Sequence, residues 1–137
     1  MVKNKLTQSI VNLSRALDRL EEALKEPKKN KLAVDGTIQR FEFAIELYWK
    51  VLKRLLSAEG IETSTPREAL QRALQAGWLM DETLWLQMLR DRNETSHVYD
   101  EALAKKIYKH IKNYFPEMKS VFRLLAERIK KNHSRRN

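Results

Sequence analysis

The sequence predicts an all-α fold, an antiparallel up-and-down four-helix bundle with one additional short helix. Three observations carry this reading. Apolar residues recur at alternating spacings of three and four over the long stretches, the period of a helix with a buried stripe. Only 3 Gly and 3 Pro occur in 137 residues, too few breakers for a turn-rich β fold. Helix start and stop signals fall between the periodic stretches.

The first stretch carries Leu6, Ile10, Leu13, Leu17, Leu20 and Leu24 on one face and leaves Arg15, Asp18, Arg19 and Glu22 to solvent. Pro27 and Lys28-Lys29-Asn30 end it. A second helix is expected over about 32–58, with Ile38, Phe41, Ile45, Tyr48, Leu52 and Leu55 as its stripe and Gly60 as its stop. Phe43, Trp49, Val51 and Leu56 widen its apolar surface, which places it centrally or at a subunit interface. Thr65-Pro66-Arg67-Glu68 combines an N-cap, a Pro at the first helical position and a Glu three residues after the cap. That short helix should end near Ala76, with Gly77 as its left-handed cap residue. Asp81 caps a fourth helix bearing Leu84, Trp85, Met88 and Leu89. Asp100 caps the last, which keeps its period from Leu103 to Leu125 and should kink or break at Pro116.

Hydrophobic residues at 42% and charged residues at 33% read as one globular domain, placed at 1–130, followed by a basic tail at 131–137. There is no Cys, which excludes disulfides and thiolate metal sites. The N-terminus lacks a signal-peptide apolar region, and no run reaches the roughly 20 apolar residues of a membrane span, so a cytoplasmic protein without a membrane partner is expected. The net charge of +9 is concentrated in residues 101–137, where eleven Lys/Arg face three Asp/Glu. Lys105, Lys106, Lys109 and Lys112 are therefore candidate nucleic-acid contacts. A solvated helix face followed by a basic tail is the plainer alternative.

The chemistry-bearing stretch is Arg92-Asn93-Glu94-Thr95-Ser96-His97-Val98-Tyr99. Arg92 is a permanent cation whose planar fork suits phosphate oxygens. His97 can exchange a proton near neutrality. RNA brings its own 2′-hydroxyl nucleophile, so a phosphate clamp and a proton-handling group could cut it without a metal. In one continuous helix Arg92 and His97 would lie about 140° apart. They converge only if the helix breaks before Asp100 or if two subunits face each other. Alternatively, Arg92 pairs with Asp91 or Glu94 of a neighbouring element, His97 is a satisfied residue at a helix end, and Tyr99 packs as core.

The Arg-x4-His-x-Tyr spacing, the Asn after the Arg, and the flanks Trp85–Asp91 and Asp100-Glu101-Ala102 resemble the HEPN superfamily. Within it, the chain is similar to the nucleotidyltransferase substrate-binding proteins. That resemblance implies a helical bundle, a homodimer with facing signatures, and a separate minimal nucleotidyltransferase as partner in a toxin–antitoxin module. It also implies two functions. One is a non-catalytic substrate-binding subunit. The other is a metal-independent ribonuclease in which Arg92 clamps the phosphate, His97 handles the proton and Asn93 orients one of them. In toxin–antitoxin members the partner transfers AMP to the signature Tyr, which is Tyr99 here. A structural helical adaptor is a weaker third reading.

Other patterns point elsewhere less clearly. Glu94-Thr95-Ser96-His97 matches the Glu-x-x-His of di-iron bundles, but only one copy occurs, with Glu42 and Glu46 the other carboxylates among apolar residues. No metal or cofactor is expected. His110 reads as an edge residue and His133 as part of the tail. There is no Gly-rich phosphate loop and no recognisable acidic pair for nucleotidyl transfer, so the chain is not expected to be a transferase itself.

Overall fold

The computed structural model describes residues 2–95 and 100–136, with side chains placed for 5–95 and 100–131. The fold is all-α: helices α1 (Val2–Leu24), α2 (Lys31–Ala58), α3 (Pro66–Gln75), α4 (Glu82–Glu94) and α5 (Glu101–Arg136) follow one another, with no strand among the described residues. No helix among them is long and apolar enough to cross a membrane.

The boundaries follow local chemistry. Asn30, read from sequence as part of a terminator, starts α2 by accepting the Ala33 N–H at 2.9 Å. Thr65 Oγ1 accepts the Glu68 N–H at 3.1 Å, and Asp81 Oδ1 accepts that of Leu84 at 3.0 Å. Asp100 Oδ1 takes the amides of Ala102 and Leu103. In each case a short polar side chain satisfies an amide that the first helical turn leaves without a partner. Gly60 and Gly77 adopt φ of +84° and +79° after α2 and α3, a conformation that costs a side-chain-bearing residue and that closes helices.

Helix α2 packs against each of the other four. Its stripe from Val34 through Ile38, Phe41, Ile45, Tyr48, Leu52 and Leu55 is buried, as are Ala44, Val51 and Leu56. Phe41 stacks on Tyr114 of α5 with ring centroids 5.6 Å apart. Tyr48 meets Trp85 of α4 edge-on at 4.8 Å and donates its hydroxyl to the Met118 carbonyl of α5 at 2.7 Å. The central position expected for this helix is therefore what the packing shows. The widened apolar surface expected at Phe43, Trp49, Val51 and Leu56 is smaller than it looked, since Val51 and Leu56 are buried. Phe41 is fully buried, Trp49 is half-buried, and only Phe43, at 64% exposure, reaches solvent. Phe41 lies on the stripe of Ile38 and Ile45, whereas Phe43 sits about 200° further round the axis.

Of the kink or break expected at Pro116, the break is absent: helix α5 runs through it. Pro116 and Lys112, whose carbonyl loses its helical donor, are both exposed, so water can take the freed carbonyl and the helix continues. The residues read as a tail, 131–136, prolong the same helix.

Phe41→Ala should lower unfolding free energy by about 3–5 kcal/mol, read from urea denaturation, because it leaves a cavity where α2 meets α5. Phe43→Ala should leave it nearly unchanged.

Candidate functional site

The site begins at the C-terminal end of α4. Trp85 is fully buried and donates Nε1–H to Glu117 of α5 at 2.9 Å, which anchors the helix nearly two turns before Asp91 and Arg92. The helix stops at Glu94, where Thr95, buried at 8% exposure, donates its hydroxyl to the Arg92 carbonyl at 2.7 Å. Helix α4 thus ends before Asp100. His97 and Tyr99 themselves lie outside the described residues.

Arg92 occupies the last turn of α4, where a cation is favoured by the helix dipole. It pairs neither with Asp91 nor with Glu94. Its Nη2 lies 2.5 Å from Glu46 Oε2 of α2, and Glu46 Oε1 accepts the Trp49 indole N–H at 3.1 Å. Both members of the pair keep about a third of their side-chain surface or less. Among the described residues, Nη1 and Nε of Arg92 have no hydrogen-bond partner. Held on one side and open on the other, the guanidinium lines an open groove of about 480 Å³ together with Gln39, Glu42, Phe43, Glu46, Asn93 and Thr95. That volume falls within the range typical of small-molecule sites.

The preceding residue grips the opposite side. Asp91 is 7% exposed, and its Oδ2 accepts hydrogen bonds from the Tyr114 hydroxyl at 2.5 Å and from His110 Nδ1 at 2.8 Å, both on α5. Acting as acceptor, the carboxylate selects the imidazole tautomer with its proton on Nδ1. Burial, and next the hydrogen bond to Asp91, push the Tyr114 phenol well above its usual range. His110 is therefore no plain edge residue: it is half-buried and bound to the residue beside Arg92.

Of the residues singled out from sequence, Arg92 and Asn93 come together in the groove. Lys105, Lys106, Lys109 and Lys112 are exposed and none lines it. Lys112 Nζ instead sits 4.7 Å from the centre of the Tyr108 ring, and Lys105 lines a separate cavity of about 240 Å³ with Lys29, Lys31, Asp35 and Glu101. Among the described residues, no group of three His, Asp or Glu could hold a metal, and Glu46 is committed to Arg92. Sequence reasoning missed Glu46 as the Arg92 partner, the Asp91–His110–Tyr114 cluster and Phe43 as a groove wall. The available signal was the placing of His110 and Tyr114 four residues apart within an apolar stripe.

Residues 8–127 match the family described as nucleotidyltransferase substrate binding protein like. The chain belongs to that family. It is 33% identical over 100 residues to the probable ribonuclease HepT of Haemophilus influenzae, covering 69% of this chain and 68% of that protein. Among solved structures, a Thermus thermophilus protein superposes with a TM-score of 0.77 at 34% identity, over 82% of this chain and 98% of that one. A Haemophilus influenzae protein, described as revealing the fold of a substrate-binding domain of a nucleotidyltransferase, superposes with a TM-score of 0.65 at 27% identity, over 90% and 98% of the two chains. The family match spans α2, α4 and most of α5, and so takes in Glu46, Arg92 and Asp91.

Tyr114→Phe should cost about 1–3 kcal/mol by removing one donor from a buried carboxylate. The alkaline limb should change as well. Tyr114 and Tyr48 are both raised above the ordinary tyrosine value of 10.0, chiefly by burial. Unfolded tyrosines release their protons near that value while the folded ones retain them. Their contribution is therefore complete below it and is lost as pH rises above it, by about 1.4 kcal/mol per pH unit for each tyrosine. Urea denaturation in alkaline buffers should show Tyr114→Phe with a shallower decline than the parent.

Proposed function

We propose that the chain is the substrate-binding subunit of a two-component system, working as a homodimer with a separate minimal nucleotidyltransferase and forming one half of a toxin–antitoxin module. The observation that carries this reading is the Arg92 guanidinium, fixed by Glu46 and Trp49 with its remaining N–H groups free among the described residues, on the wall of an open groove. An oriented cation facing open space is what a phosphate-bearing substrate needs. The family, and the likeness to a structure described as a nucleotidyltransferase substrate-binding domain, support the partnership. With no Gly-rich phosphate loop in the sequence, the transfer chemistry is assigned to the partner.

A second reading is a metal-independent ribonuclease, favoured by the likeness to the probable ribonuclease HepT. Arg92 would clamp the scissile phosphate, His97 would handle the proton of the 2′-hydroxyl, and Asn93 would orient one of these two side chains. The exposed Lys105, Lys106, Lys109 and Lys112 would hold the RNA backbone at a distance from the cut. Tyr99 would be the residue on which AMP transfer silences the site, since a bulky anion beside Arg92 excludes a second phosphate by occupancy and repulsion.

The two readings separate in one set of assays. Co-expressed with its proposed minimal nucleotidyltransferase partner, the chain should co-elute with it as a complex, and light scattering of the chain alone should give a dimer mass. Arg92→Ala should keep the complex and weaken nucleotide or RNA binding at least about tenfold, the scale of a lost charge-assisted contact. Failure to co-elute would overturn the partnership. Cleavage of labelled RNA in EDTA that is lost in both Arg92→Ala and His97→Ala would establish the ribonuclease. The absence of such cleavage would leave the binding subunit.

A further inference from the structure

Phe43 is anomalous for where it stands. It is 64% exposed, yet its neighbours around the groove, Gln39, Glu42, Glu46, Arg92 and Asn93, are all polar. The other large exposed apolar residue on α2 is Leu32, eleven residues away and about 16 Å along the axis. A protein interface needs a contiguous apolar centre, and a lone ring among amides and charges does not supply one. A nucleobase needs something smaller: one aromatic face to stack on and hydrogen-bonding groups at its rim.

The groove provides those groups in suitable chemical kinds. Arg92 offers a phosphate N–H groups that are free among the described residues. Glu42 is exposed and, among the described residues, has neither an ion-pair nor a hydrogen-bond partner. A carboxylate repels phosphate, so Glu42 is suited to donors. Its two oxygens accept best from two adjacent N–H groups in a bidentate pair. Among the neutral bases, guanine alone places two such donors, N1–H and the N2 amino group, side by side on its pairing edge. Adenine and cytosine each offer one amino donor beside an acceptor nitrogen, and uracil offers one N–H between two carbonyls.

We infer that the groove is a seat for an unpaired guanine nucleotide of single-stranded RNA, with Phe43 as the stacking platform, Glu42 reading the pairing edge and Arg92 holding the adjoining phosphate. This rests on reading the groove as the substrate site and names what that substrate presents. Phe43 and Glu42 set specificity here and take no part in proton transfer.

The test is fluorescence anisotropy of the purified full chain with labelled 2′-O-methyl hexanucleotides, whose blocked hydroxyls prevent cleavage. They are all-uridine, or uridine with one central guanosine or inosine, the latter lacking the N2 amino group. The guanosine oligomer should bind more tightly than the other two. Phe43→Ala should weaken it about tenfold, on the scale of one lost stacking contact, and Phe43→Trp should retain it. Glu42→Gln should erase the difference between guanosine and inosine while leaving all-uridine binding within about twofold. If Arg92→Ala weakens binding and Phe43→Ala does not, the groove takes phosphate but seats no base, and this inference falls while the substrate site stands. If neither variant changes binding, both fall together. If Phe43→Ala changes the mass in light scattering and leaves RNA binding intact, the ring belongs to a protein contact and the inference is overturned.

Discussion

A carboxylate almost without contact with water sits where α4 meets α5, and the geometry of the groove depends on it. Burying Asp91 alone would carry a heavy desolvation penalty. The Tyr114 hydroxyl and the His110 ring both donate to its Oδ2 and offset much of that cost. Tyr114 also stacks on Phe41, so one side chain links α4, α5 and the central α2. The next residue, Arg92, turns the other way and grips Glu46 on α2. Two adjacent residues therefore hold the last turn of α4 from opposite sides, and the guanidinium reaches the groove already oriented. Preorganisation of that kind lowers the entropic cost of binding a substrate.

The Glu46 contact carries a trade-off. Pairing an arginine with a carboxylate reduces the field it offers to a phosphate, yet it limits the orientations of a side chain that otherwise has many. Arginine tolerates this better than lysine because its planar fork has donors to spare once one nitrogen is committed. An ammonium in the same place would offer a single point charge. Lys105, Lys106, Lys109 and Lys112 of α5 lie outside the groove, so any electrostatic effect they have on it is that of a longer-range field.

How much of this was legible in the sequence depends on the range of each interaction. Thr65, Asp81 and Asp100 announce helix starts because a cap is a bond within four residues, and Gly60 and Gly77 announce ends because only the backbone at that point matters. The stripes of α1, α2 and α5 were readable for the same reason, since helical periodicity is local. The Glu46–Arg92 pair spans 46 residues and the Asp91–Tyr114 bond 23. Nothing in composition or spacing distinguishes Glu46 from an exposed charge, and for Asp91 the only hint was the placing of His110 and Tyr114 four residues apart in an apolar stripe. Phe41 and Phe43 show the limit at finer scale: two residues apart in one apolar stretch, one is core and the other groove wall. Pro116 shows the converse. The local rule is sound, but an exposed helix face lets water take the freed carbonyl, so the helix continues where a kink or a break was expected.

The central place of α2 has a consequence for how the chain is made. Helices α1 and α2 leave the ribosome first and can pair at once. Phe41 and Tyr48, however, have their partners Tyr114 and Met118 on α5, more than sixty residues later. Until α5 has been synthesised, Phe41 lacks its stacking partner and the Tyr48 hydroxyl its acceptor, although Trp85 of α4 is already present to meet the Tyr48 ring. The interval between those two events is when this chain is most exposed to aggregation and most open to a chaperone.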